Sequence, residues 1–405
     1  MRRKEFPAAY WWVWVGSLVN HAGSFVVPFF AYYLTSQKHF SPLQVGFMAT
    51  LYGAGGVAST VVAGVAADRI GRRLTLLISQ VGAAAAMLGL GFAEQTSLMS
   101  VLAFVLGFAS YAAGPVFSAM IADVVPTEGR KRAYAIHYWA VNLGFAIAPV
   151  LAGVMAEHDY VWLFAGDAVT TLACAVLIAW RVPEHRPDTG AGESAEEPAA
   201  DQGLGRVLKD RVFLGLLFVV VGVITVYSQF QVTQPIAMQD VGLSPVMYGL
   251  VSAVNGALVV VIQLPVTRVI ERHDDGRLLA AGALFLGAGM GLSVFAHNAA
   301  LFAVSIAVWT VGEAIAMPTS NAIASKLAPP HLQGRYQGMY GMAYALAAVI
   351  GPLGGGWAFG RYGGVPVWVG CVLVGTACAV GALAIGRGVR HRTVAHQEEP
   401  VVAGT

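Results

Sequence analysis

Residues 64–76 read GVAADRIGRRLTL. Four charged side chains, Asp68, Arg69, Arg72 and Arg73, fall within six positions, with Gly64 and Gly71 around them. On either side lies a run of about twenty residues without charge, 45–63 and 74–93. A helix needs roughly 20 apolar residues to cross a bilayer. The stretch therefore reads as a short basic turn joining two membrane spans. Its spacing, G-x-x-x-D-R-x-G-R-R, is more particular than a topogenic turn requires.

The rest of the chain repeats the alternation. Of its 405 residues 57% are hydrophobic and 11% charged, against about a quarter charged in soluble proteins. The expected fold class is an all-α membrane protein with twelve transmembrane helices in two pseudo-symmetric six-helix bundles. The spans are read at roughly 9–36, 43–66, 73–93, 97–121, 132–156, 160–181, 211–238, 245–267, 277–296, 299–325, 333–359 and 365–387. The organisation expected is an N-terminal bundle 1–181, a cytoplasmic linker 182–208 rich in Glu, Pro, Gly and Ala, a C-terminal bundle 209–390 and a disordered tail 391–405. With the N-terminus inside, only Lys38 and Arg361 of the 24 basic residues fall outside, so the positive-inside rule puts both termini in the cytoplasm. MRRKEF leads into a span too long for a signal-peptide core, so no cleaved signal is expected. Cys174, Cys371 and Cys378 lie in apolar runs without metal spacing and read as small core residues. Neither a phosphate-binding loop nor a hydrolase or metalloprotease signature occurs, and no enzyme activity, cofactor, metal or nucleic acid is expected.

An internal repeat holds one offset of 203 residues. Ser41, Pro42 and Gly46 recur as Ser244, Pro245 and Gly249, Gly53 as Gly256, and Pro115 as Pro318. Arg132 recurs as Arg335, Pro149 as Pro352 and Gly153 as Gly356. Helix-breaking residues in register across six spans indicate a duplicated six-helix unit. Parallel repeats of this kind place a transporter's site between the halves at mid-membrane.

Against this frame the opening stretch resembles the motif G-x-L-a-D-r-x-G-r-k that joins helices 2 and 3 in the major facilitator superfamily. Gly64, Asp68, Arg69, Gly71, Arg72 and Arg73 match, and Ala66 replaces the usual Leu. The second copy is degraded, with Asp274 where Gly71 would stand. The resemblance implies a gating latch: Asp68 facing the start of the eleventh span near Gly334, and Asp123 pairing with Arg72. Gly144, Pro149 and Gly153 in the fifth span, and Gly351, Pro352 and Gly355 in the eleventh, resemble the helix-bending motif of exporters in this superfamily. Ala103 stands where many proton-coupled relatives carry an arginine, and Asn20-His21 where drug exporters often carry an acid.

Ionisable groups within a span are costly and mark function. Glu313, His21 and Asp167 are the proton-coupling candidates. Asn20, Phe25, Asn142, Gln231, Gln234, Asn255, Tyr340 and Tyr344 are the substrate-cavity candidates, with Ser228, Gln231 and Gln234 read as one helical face. Tyr336, Tyr340 and Tyr344 are read as a second face. The expectation is a multi-pass cell-membrane transporter, most like the twelve-helix drug:proton antiporters. It would act as a monomer that exports lipophilic small molecules in exchange for protons. A metabolite or nutrient carrier, an uncoupled facilitator, and a receptor or scaffold that kept the fold without transporting account for the same features.

Overall fold

A computed structural model of the chain describes residues 6–126, 129–182, 207–270, 272–329 and 332–398. The side chains of Val61, Gly64, Asp68, Lys131 and Leu264, and those beyond residue 390, fall outside that description. The long helices are α1 (Ala8–Ala22), α2 (Val26–Ser36), α3 (Pro42–Ile70), α4 (Arg72–Phe92), α5 (Thr96–Val124), α6 (Arg130–His158) and α7 (Tyr160–Arg181). They continue with α8 (Arg211–Tyr227), α9 (Thr233–Asp240), α10 (Pro245–Ile270), α11 (Asp275–Gly291), α12 (Ala299–Leu327), α13 (Gln333–Tyr362) and α14 (Gly364–Glu398). Among the described residues eleven helical segments are long and apolar enough to cross a membrane. The α3 helix, 29 residues long, matches them in length, and several of its residues fall outside the description.

Two expected spans are not single helices. The segment 8–36 breaks at residues 23–25, and 211–240 breaks through a 3₁₀ turn at Ser228–Phe230. Each break lies close to four residues before a proline, Pro28 or Pro235. Proline has no N–H for the carbonyl four residues back, and its ring collides with that carbonyl. The shared face expected for Ser228, Gln231 and Gln234 is therefore lost, because the helix is interrupted between them. The polar tail also differs from expectation: α14 continues to Glu398, since no glycine or proline falls between Gly388 and Glu398. Most of the expected linker lies outside the described residues, but Val207, assigned to it, is buried.

The helices of residues 8–181 pack on one another through α3 with α5, α4 with α5 and α7, and α1 with α6 and α7. The second set does so through α11 with α12 and α14, α10 with α12, and α8 with α13 and α14. Two large crossings join the sets, α3 on α13 and α6 on α10, with a smaller contact of α2 on α9. Shifting α3 by 203 residues lands on α10, and shifting α6 lands on α13. The two crossings are thus one contact made twice by the repeat.

Their chemistry is that of small residues. Helices in lipid gain nothing from hiding apolar surface, so close backbone approach must hold them. A Cβ on Gly249 would strike the Pro149 carbonyl oxygen, and one on Gly256 would stand 2.6 Å from the Ala146 nitrogen. In the other crossing Gly356 lies against Pro42 and Gly46, and Gly53 faces the Ala348 carbonyl. Pro352 deprives that same carbonyl of its helical partner, and the Thr50 hydroxyl donates to the adjacent Val349 carbonyl at 3.1 Å. The prolines therefore free carbonyls toward the glycines, which approach closely enough for Cα–H···O contacts.

The opening motif has a local explanation at Gly71. It alone separates α3 from α4, with φ 94° and ψ 153°, a backbone region that favours glycine. The second copy needs a longer connection. Asp274 there takes φ −65° and caps α11 through the Arg277 N–H at 3.0 Å. Asp274 also pairs with Arg390 at 2.8 Å. Partial burial alone would raise its carboxyl, but the Arg277 N–H and the Arg390 guanidinium outweigh that and hold it below its ordinary value. A depressed carboxylate stabilises the fold above its unfolded pKa of about 4, and the gain fades as pH falls further. Asp274→Asn keeps the cap, since asparagine caps as well as aspartate, and removes only the charge facing Arg390 and the helix start, so it is expected to cost about 0.5 kcal/mol at pH 7. Melting curves in detergent should show the gap closing near pH 3, and a gap independent of pH would contradict the assignment.

Candidate functional site

The loops bearing Arg69, Arg72, Arg73, Arg130, Arg277, Lys326 and Arg335 all lie on one side, here the basic face. The halves meet at the opposite, far face. Tyr32 of α2 donates its hydroxyl to the Leu243 carbonyl at 2.6 Å, and its ring stacks on Tyr248 at 5.0 Å. Tyr248 in turn donates to the Pro28 carbonyl, and Thr35 to Gln239 of α9. Toward the basic face the contacts end. Gly334, Gly338 and Gly341 of α13 have only open space where a Cβ would stand. The conformation is closed at the far face and open toward the basic face.

Between α6, α10, α12 and α13 this opening forms a cavity of about 750 Å³. Its wall carries Glu313, Tyr138, Tyr340, Tyr344 and Met317. Asn255 Nδ2 donates to Glu313 Oε2 at 2.7 Å and to Thr310 Oγ1 at 3.0 Å. The Tyr227 hydroxyl, at the last position of α8, is a further hydrogen-bonding neighbour of Glu313. The Tyr340 and Tyr344 hydroxyls lie 3.4 Å apart, and Tyr340 is 2.9 Å from Ser320 Oγ. The wall thus offers one carboxyl group in a ring of phenols, which can accept or release a proton beside an aromatic or apolar guest. The 203-residue offset maps Asn255 and Glu313 onto Tyr52 and Ser110, which are themselves hydrogen-bonded. One interhelix bridge is thus kept in both halves, and only the second copy carries a carboxyl group.

The remaining candidates disperse. Asn142 donates to its own Tyr138 carbonyl at 2.8 Å, just behind the wall. Gln231 touches a separate void of about 20 Å³ beneath the far-face closure. Gln234 is fully buried and turns to Ser293 and Ser305 at 3.3 and 3.2 Å, because the helix break rotates it away from the cavity. Asn20 is held by Gln80 of α4 at 2.5 Å, and Phe25 packs beside Gly166 of α7, so neither lines the cavity. Tyr336 also leaves the tyrosine face, donating to Asp210 at 2.8 Å and packing on Phe213. His21 Nδ1 sits 2.8 Å from the Ser17 carbonyl, which can only accept, so this nitrogen carries a hydrogen. The His21 ring lies edge-on to Phe145, and a Cβ on Gly144 would strike His21. Asp167 is buried at the break between α1 and α2.

In the basic turn, Arg72 Nε and Asp123 Oδ2 form an ion pair at 3.0 Å, and Arg73 donates to the Ala179 carbonyl. Arg69 is exposed, and the Asp68 side chain and the surroundings of Gly64 lie outside the described residues. Gly351 and Gly355 of the bending motif face the helix break, where a Cβ would strike Ser228 and Gln229. Sequence reasoning missed Tyr227 and Tyr138 as neighbours of Glu313. Tyr227 precedes a break whose signal, Pro235, was present in the chain.

A family model described as Major Facilitator Superfamily matches residues 13–352 and again 230–403. The uncharacterized MFS-type transporter YhjO of Bacillus subtilis is 26% identical, covering 86% of this chain and 85% of its own. The multidrug resistance protein MdtH of Enterobacter sp. is 25% identical, with 85% of each covered. Among solved structures, the nucleoside transporter NupG superposes with a TM-score of 0.81 at 11% identity, over 93% of this chain and 99% of that one. A D-xylose-proton symporter reaches 0.69 at 16% identity, over 92% and 96%. These two likenesses speak for the fold. With the family match running over most of the chain, and a cavity between two repeat-related crossings, this protein belongs to the major facilitator superfamily.

Proposed function

We propose that the protein exports lipophilic small molecules across the cell membrane in exchange for protons, with Glu313 as the proton carrier. The observation that carries this reading is the single carboxyl group on the wall of a cavity whose other lining residues, Gln263 and Asn321 apart, are aromatic or apolar. The multidrug resistance name of the MdtH relatives supports the cargo class. The positive-inside rule makes the basic face cytoplasmic, with both termini there and twelve spans between. The cavity then opens to the cytoplasm, the side from which an exporter loads. The chain works as a monomer, since each half supplies one wall of the path.

Purified protein in proteoliposomes with an imposed pH gradient tests the reading. Uptake of lipophilic cations and neutral dyes should follow the gradient and stop when an ionophore collapses it. Gradient-independent flux of every compound tried would reject proton exchange. A metabolite carrier without coupling is the second reading, favoured by Ala103, which is buried and puts no charge in the first half where many coupled relatives have one.

We also assign Arg72 and Asp123 to the latch that braces the basic turn. Their pair is mostly buried, with side chains 18% and 19% exposed, so breaking it should cost more than a surface pair yet less than a fully buried one, about 1–2 kcal/mol. Asp123→Asn should lower the melting temperature in detergent. Exchanging the two residues as Arg72→Asp with Asp123→Arg should restore part of the loss. An unchanged melting curve in the single variant would remove the pair from the latch.

A further inference from the structure

The far-face closure hangs on α2, which carries Pro28, Tyr32 and Thr35, and α2 is cut from α1 at residues 23–25. Asp167 of α7 reaches this cut from the side and is 1% exposed. Its Oδ2 accepts the Val26 N–H at 2.9 Å, and the Phe25 N–H is a second backbone donor. Its Oδ1 accepts the Thr171 hydroxyl at 3.3 Å. Next to it the Thr170 hydroxyl donates to the Gly23 carbonyl at 3.3 Å, and a Cβ on Gly23 would collide with Thr170. Both sides of the cut are therefore gripped by adjacent residues of α7.

The first N–H groups of a helix have no partner within it and carry its positive end. In hydrocarbon such groups must be satisfied within the protein, because no water reaches them. A carboxylate offers two acceptor oxygens and a complementary charge, and the same N–H groups relieve its own burial. Asp167 is therefore committed as an acceptor at the start of α2, away from the cavity that holds Glu313. We infer that Asp167 is a positioning residue of the transport cycle: it seats the start of α2 so that Tyr32 and Thr35 meet the second half and close the far face. This removes it from the proton carriers. The inference rests on the exporter reading only for what the closure serves, since the contacts themselves are independent of cargo.

Cysteine labelling in the reconstituted full-length protein tests it. Ala31 is 3% exposed and lines the void of about 20 Å³ beneath the closure. Ala31→Cys reports opening when a membrane-impermeant maleimide is added at the far face, and the buried Cys174, Cys371 and Cys378 of the parent set the background. Asp167→Ala in the reporter is expected to raise the labelling rate at least tenfold. Asp167→Asn keeps one acceptor oxygen and should stay within threefold. Asp167→Ser takes the place of the alanine variant if that one does not elute as a single species. Gradient-driven transport by Asp167→Asn should keep the wild-type pH profile. Labelling of the alanine or serine variant at the parent rate would overturn the assignment, and so would loss of the pH profile in the asparagine variant. The labelling stands whether or not a cargo moves, so failure of the exporter reading would register separately.

Discussion

Glu313→Gln is expected to abolish gradient-driven accumulation while leaving cargo exchange across the membrane intact. The substitution keeps the shape of the side chain, and its amide can still meet Asn255 and Tyr227, the groups that touch Glu313 now. What it removes is the proton. Moving one charge across 100 mV is worth about 2.3 kcal/mol, and each 1.4 kcal/mol is tenfold in an equilibrium ratio. Losing one coupled proton therefore lowers the accumulation ratio about 40-fold for each 100 mV of gradient. Two assays separate the effects: counterflow with cargo on both sides, and uptake against a pH step. Counterflow within about threefold of wild type, with uptake reduced to the ionophore-treated level, is the expected pair. Uptake that still follows the pH step would take the proton away from Glu313, and His21 would be examined next.

The fold was legible because membrane insertion leaves coarse marks. Apolar runs of spanning length, basic residues confined to alternate loops, and prolines repeating at one offset determine how helices are threaded and paired. Gly71 was legible too, since only a residue free to take positive φ can turn α3 into α4 in one step. The site was legible in part. Glu313, Asn255, Tyr340 and Tyr344 could be found because a buried carboxyl or a tyrosine stripe stands out against an apolar helix. Gln234, Asn20 and Phe25 misled for one reason: a sequence gives a residue's depth in a span but not its azimuth. One break in the helix changes the azimuth of everything after it. The prolines that make these breaks, Pro28 and Pro235, were visible, but proline is common in membrane helices that only bend. Asp167 shows the complementary difficulty. An acid in a span invites a proton role, and only the neighbouring backbone reveals that it caps a helix start.

Leucine at Gly46 and leucine at Gly338 are expected to stop transport equally and to trap opposite conformations. Gly46 faces Gly356 across the α3–α13 crossing at the far face, where a Cβ on Gly356 would stand 3.1 Å from the Gly46 Cα. Gly338 lies 18 residues before Gly356 on α13, and Gly64 lies 18 after Gly46 on α3. Eighteen residues make five turns, so each pair shares a face of its helix, about 27 Å along the axis. That distance is close to the thickness of the hydrocarbon layer. If the halves rock about mid-membrane, the far-face pair parts as Gly64 and Gly338 close at the basic face. This supplies a reason for glycine at the head of the opening motif that solvation of a basic turn does not. Gly46→Leu forces the present crossing apart and should raise labelling of Ala31→Cys from the far face at least tenfold. Gly338 now faces open space, so Gly338→Leu fits without strain here and blocks the opposite closure. It should leave far-face labelling at or below the parent rate, stabilise the fold by about 1 kcal/mol through better helix propensity and so raise the melting temperature, and reduce transport at least 100-fold. Wild-type transport by Gly338→Leu would show that α3 and α13 never approach at the basic face, and rocking about these crossings would have to be abandoned.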